Sequence, residues 1–120
     1  MTLRGTLIAA WVTVLTCGLI GCAGSPHQAP PEPLNIEVTI AHGRVTPTNA
    51  MLQAKVKQQI VLHVTSDATD ELHVHSVPDH KFEVKAGPNQ IFQFSVEVPG
   101  NVDVELHHLD RTIATISVVP

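Results

Sequence analysis

From Asn35 onward the sequence predicts an all-β fold, a β-sandwich of seven or eight short strands. The first observation behind this is alternation. Apolar and polar side chains exchange places with period two over runs of four to eight residues, as in strands buried on one face. The second is punctuation, because clusters of Gly, Pro, Asn, Asp and Ser interrupt those runs at short intervals. The third is that only residues 49–59 have a composition that would suit a helix.

Taken in order, Ile36, Val38 and Ile40 alternate with Glu37 and Thr39, and Gly43 marks the turn that follows. Val45 and Met51–Val56 supply a weaker, irregular strand after it. There Ala50, Gln53, Ala54 and Lys55 have good helix propensity, so a strand is preferred and a short helical turn is the open alternative. Ile60, Leu62 and Val64 then alternate with Val61, His63 and Thr65, and Ser66-Asp67 ends the run. Leu72 and Val74 alternate with Glu71, His73 and His75 as far as Pro78-Asp79. Phe82 and Val84 sit among Lys81, Glu83 and Lys85, before Gly87-Pro88-Asn89. Phe92, Phe94 and Val96 are interleaved with Gln93 and Ser95, and Pro99-Gly100 follows. Val102, Val104 and Leu106 alternate with Asp103, Glu105 and His107. After Leu109-Asp110, Ala114, Ile116 and Val118 complete the pattern. All these strands are expected to be half-buried and antiparallel.

Residues 35–120 thus form one small domain, which on size grounds buries only about 60–65% of its unfolded surface. The expected core comprises Ile36, Val38, Leu62, Val64, Val74, Phe92, Phe94, Val104, Leu106 and Ile116. Met51 is expected to fill the core as well, and all three phenylalanines have inward parity.

Residues 1–21 read as a signal peptide. Arg4 is the lone charge before Leu7–Leu19, an uncharged and mostly apolar run too short for the roughly 20 residues of a membrane span. The run ends in Leu19-Ile20-Gly21-Cys22, which resembles the lipobox of bacterial lipoproteins. That resemblance implies lipidation of Cys22, cleavage before it, and anchoring to the outer face of the cell membrane or within the cell envelope. Cys17 is the rival, but Thr16 suits the cut site less well than Gly21. Residues 22–34 then form a proline-rich tether, in which His27 is a solvated linker residue.

After such a cleavage Cys22 is the sole cysteine, so the domain has no disulfide and relies on its core. Without Arg4, six basic residues face eleven acidic ones, a net charge of −5 with histidines neutral. Nothing in that balance suggests nucleic acid.

The segments "GRVTP", "VKQQIVLHVTSD", "DELHVH" and "VPGNVDVELHH", followed by a final strand, together resemble the cupredoxin-like domain. The resemblance covers about Ile36 to Val119 and is closest to small exported bacterial proteins with related "DELHVHG" and "PGxxEVEL" segments. It implies a Greek-key sandwich in which the "DELHVH" strand neighbours the "NVDVELHH" strand. It also implies a departure. His73 lies near the first copper ligand of blue-copper cupredoxins, but the place of their cysteine falls at or next to Leu106, and no Cys or Met follows. A thiolate gives that trigonal site its strong copper bond and redox tuning. No blue-copper centre is therefore expected.

The chain has eight histidines, and four of them form a candidate metal site: His73, His75, His107 and His108. Residues two apart on a strand point to one face, so His73 and His75 project together. On the implied strand order His107 reaches the same face, with His108 at its end. Three or four converging imidazoles suit copper or zinc. Glu71 and Glu105 share that parity and are candidates to orient the rings or to ligate. The bland alternative is a polar outer face with ordinary cross-strand pairs. His63 belongs to the other sheet, and His42 and His80 fall in turns.

Ser66, Ser76, Ser95 and Ser117 lack an elbow motif, and no nucleophile or oxyanion loop accompanies the histidines. The sequence therefore reads as a non-enzyme. Two functions stay open: a metal-binding envelope lipoprotein acting as carrier, buffer or accessory subunit, or a metal-free interaction module with an envelope protein as partner.

Overall fold

A computed structural model describes residues 28–120 together with Gly18, Gly21 and Gly24. Residues 1–17, Cys22 and His27 lie outside the described residues, and with them most of the expected signal peptide and the expected lipidation site.

Among the described residues there are nine strands and no helix: β1 (Leu34–Ala41), β2 (Arg44–Thr46), β3 (Ala50–Lys55), β4 (Ile60–Ser66), β5 (Asp70–Val74), β6 (His80–Val84), β7 (Gly87–Phe94), β8 (Gly100–Leu106) and β9 (Arg111–Val119). They form a four-stranded sheet in the order β2-β1-β4-β7 and a five-stranded sheet in the order β3-β9-β8-β5-β6. The count exceeds the expected seven or eight because the irregular region after Gly43 divides into β2 and β3. Residues 50–55 are extended, which settles the helical alternative.

Two pairings correct the expectation of antiparallel strands throughout. β1 runs parallel to β4 and β3 runs parallel to β9. Alternation reports which face of a strand is buried and is silent on the direction of its neighbour. The chain crosses between the sheets at 46–50 and 56–60, so β3 and β4 meet strands distant in sequence.

The alternating set packs between the two sheets. Ile36, Val38, Leu62, Val64 and Phe94 come from one sheet, and Leu72, Val74, Val104, Leu106 and Ile116 from the other, all buried. Phe92 is only half-buried and stacks on Phe82 at the open edge between β6 and β7, with ring centroids 5.2 Å apart. Met51 departs from expectation. It is 75% exposed on the edge strand β3, where Leu52 and Ala54 take the inward positions. Strand parity turns Met51 outward, opposite to the core-filling role expected of it.

Candidate metal centre on the outer face of the five-stranded sheet

β5 and β8 lie side by side within the five-stranded sheet. Leu72 pairs with Leu106, His73 with Glu105 and Val74 with Val104. The ladder extends beyond both strands, because His107 N–H donates to Glu71 C=O at 3.0 Å and His75 N–H to Asp103 C=O at 2.9 Å. Leu72, Val74, Val104 and Leu106 turn inward. Their neighbours Glu71, His73 and His75 on one side, and Asp103, Glu105 and His107 on the other, therefore share the outer face. Burying the apolar set thus aligns three histidines with three acids.

The rings converge. His73 Nδ1 lies 3.1 Å from His107 Nε2. The His73 and His75 ring centroids are 3.9 Å apart, and those of His73 and His107 are 5.0 Å apart. One ring nitrogen from each of His73, His75 and His107 lies within 4.8 Å of the others. His73 sits at the centre with its side chain 12% exposed, while His75 and His107 flank it at 46% and 41%.

Each imidazole also has a carboxylate behind it. His73 Nε2 meets Asp79 Oδ1 at 2.7 Å, His75 Nε2 meets Glu105 Oε2 at 2.9 Å, and His107 Nδ1 meets Glu71 Oε1 at 3.0 Å. The hydrogen bond from His73 holds the Asp79 carboxyl below its ordinary value, assisted by the charges of His73, Lys81 and His75 and opposed by desolvation. Carboxylates in this position fix the tautomer and aim the opposite nitrogen, a standard support of metal-bound histidine. Glu71 and Glu105 are the two acids that strand parity suggests. Asp79 escapes that reasoning, because Pro78-Asp79 reads only as a turn. A signal is nonetheless available: the β5–β6 hairpin pairs His73 with Lys81 and Val74 with His80, so its register carries Asp79 to the face of His75.

Proton accounting follows from these contacts. With ionised carboxylates as acceptors, His73 donates from Nε2 and His107 donates from Nδ1. The 3.1 Å contact between their other nitrogens needs a third proton, and two neutral imidazoles carry only two. Without it two lone pairs face each other, and a cation between them would relieve that opposition. Zinc–nitrogen bonds of about 2.0–2.1 Å place ligand nitrogens about 3.3 Å apart in a tetrahedron, close to the observed separation. The donor set of neutral nitrogens suits zinc or Cu(II).

The fourth expected ligand stands apart. The His108 ring faces the Thr69 carbonyl, with Nδ1 at 3.3 Å, and is not among the three converging residues. Its backbone belongs to the β8–β9 turn, where strand alternation stops. His63 bonds Asn35 Oδ1 at 3.0 Å on the other sheet. His42 occupies a left-handed turn position and donates its N–H to Asp67 Oδ2. His80, expected in a turn, instead opens β6 and points between the sheets, its ring centroid 5.6 Å from that of Phe94. Leu106, where the resemblance puts the blue-copper thiolate, is 1% exposed and apolar. The residues present do not fit that centre.

No family model matches the chain, and no curated protein matches it. Solved structures do. Auracyanin B superposes with a TM-score of 0.55 at 13% identity, over 78% of this chain and 93% of its own. A dithionite-reduced auracyanin from the photosynthetic bacterium Roseiflexus castenholzii gives 0.52 at 9% identity, over 72% and 97%. A multi-copper oxidase from Pseudomonas thermotolerans gives 0.52 at 15% identity, over 73% of this chain and 30% of the oxidase. These similarities establish a cupredoxin-like Greek-key fold.

Proposed function

We propose that the chain is an exported lipoprotein, anchored through Cys22, whose cupredoxin-like domain binds copper or zinc through His73, His75 and His107. It would serve as a metal carrier, buffer or accessory subunit. One observation carries the metal reading: three imidazole nitrogens lie within 4.8 Å of one another, and each ring is backed by its own carboxylate. Ordinary cross-strand pairs would explain one such contact but give no reason for three rings to share a centre. The multi-copper oxidase among the neighbours supports copper as the ion, while a ligand set without thiolate makes a Cu(II) site pale.

Isothermal titration of metal-stripped residues 35–120 with Cu(II) and Zn(II) tests this. One saturable site is expected, abolished by the double change His73→Ala, His75→Ala and weakened by acid, since protonated imidazole has no lone pair to offer. Anchoring is tested separately: Cys22→Ala should release the protein from membranes and end labelling by fatty acid.

A second reading also has an observation behind it. Each of the three rings pairs with an acid without an ion, and Val77 and Val98, both exposed, border the cleft beside His75. On that reading the face is a docking surface for an envelope protein. Absence of saturable metal binding would leave it standing.

A further inference from the structure

The acid in the best-protected position among the described residues does not touch the histidine cluster. Asp70, the first residue of β5, is 5% exposed. Its Oδ1 accepts from the backbone N–H of Glu71 at 2.7 Å and of His108 at 2.8 Å, and its Oδ2 accepts from Leu109 N–H at 3.1 Å. Among the described residues no side-chain cation pairs with it. A buried carboxylate bound by several backbone N–H groups is strongly held, and charge-assisted bonds of this kind are about twice as strong as neutral ones.

Those three donors bracket the metal cluster. Glu71 supplies the carboxylate behind His107, and His108 and Leu109 immediately follow His107. β8 ends at Leu106, which pairs with Arg111 of β9, so on the β5 side nothing of the ladder holds the chain beyond the His107–Glu71 backbone bond. On the β9 side the register shifts between Val104 and Glu105, and pairing then resumes, Glu105 with Thr112 and Leu106 with Arg111. Asp70 continues the tie on the β5 side. It clamps the start of the turn to the start of β5, and so fixes the backbone from which the His107 ring reaches His73.

We propose that Asp70 is a positioning residue for the metal centre, whose buried carboxylate holds the 107–109 turn so that His107 meets His73 and His75. This rests on the metal reading above, so its test includes a readout that needs no metal. Asp70→Asn keeps the shape but exchanges one acceptor oxygen for an NH₂ group, which cannot accept from the turn. Asp70→Glu keeps the charge and displaces the oxygens. Val38→Ala, a core change in the other sheet, serves as a destabilised control that leaves the turn untouched.

In electron paramagnetic resonance of the Cu(II)-loaded protein, the unchanged domain and Val38→Ala should show three coupled nitrogens. Asp70→Asn should show two, as His107→Ala does, with affinity down roughly tenfold to a hundredfold. Asp70→Glu should fall between. In the metal-free protein, nuclear Overhauser effects between the His73 and His107 rings should be present in the unchanged domain and absent from Asp70→Asn. Three nitrogens and near-normal affinity in Asp70→Asn would overturn the assignment. If the unchanged domain binds no copper, the metal reading fails, and the ring-to-ring Overhauser effects alone decide whether Asp70 positions His107. If neither Asp70 variant folds, the carboxylate serves the fold rather than the site, and the proposal is wrong.

Discussion

Adjacent histidines should behave as opposites. His107→Ala removes a converging nitrogen, whereas His108→Ala removes a ring whose hydrogen bond goes to the Thr69 carbonyl. Without metal, both changes should be mild. The His107–Glu71 pair joins side chains about two-fifths exposed, and exposed pairs contribute about 0–1 kcal/mol. With Zn(II) held at a hundred times the dissociation constant, a site present only in the folded state stabilises it by about 2.7 kcal/mol. For a domain of this size each kcal/mol moves the melting temperature by about 4–8 °C, so the metal-induced rise should be about 11–22 °C. Removing one of three ligands weakens binding at least as much as removing an orienting partner, about a hundredfold at the upper end. At the same zinc concentration the gain then shrinks to about 0.4 kcal/mol, or about 2–3 °C. Thermal melts followed by circular dichroism, with and without Zn(II), measure all of this. His107→Ala should lose nearly the whole rise and His108→Ala should keep it. Equal behaviour of the two variants, in either direction, would refute the geometry of the site.

Three other outcomes follow from the same arrangement. Zn(II) affinity should fall as the solution is acidified, because a protonated imidazole has no lone pair to offer the ion; an affinity independent of pH in a calorimetric titration would contradict histidine ligation. Asp79→Asn should flatten the acid limb of the stability–pH curve. The Asp79 carboxyl is lowered in the folded state, so its contribution is present above the ordinary carboxylate range and lost as pH falls through the lowered value; an unchanged acid limb would count against the His73–Asp79 bond. Phe94→Ala should cost about 3–5 kcal/mol in urea unfolding, since Phe94 is buried against Phe82 and His80, and a loss below about 1 kcal/mol would mean the site collapses around the gap.

By itself the sequence determined what period two can carry. Ile36, Val38, Leu62, Val64, Val74, Val104 and Ile116 point inward because any half-buried strand must turn its alternate residues away from water. The same parity put His73, His75, Glu71 and Glu105 on one outer face. Turn residues located most strand ends, again through local chemistry. Only the tertiary structure decided who meets whom. Parallel pairing of β1 with β4 and of β3 with β9 depends on crossovers between sheets, which leave no local mark. The register of β5 against β8 matters most, because a slip of one residue would bring Leu106 rather than Glu105 opposite His73. Where alternation ends, at the β8–β9 turn, parity no longer distinguishes His107 from His108. There the buried Asp70 carboxylate, bonded to the backbone of residues 108 and 109, makes the choice. Asp79 joins the site for a related reason: a hairpin folds it back beside His73, and that closeness exists only once the strands have paired.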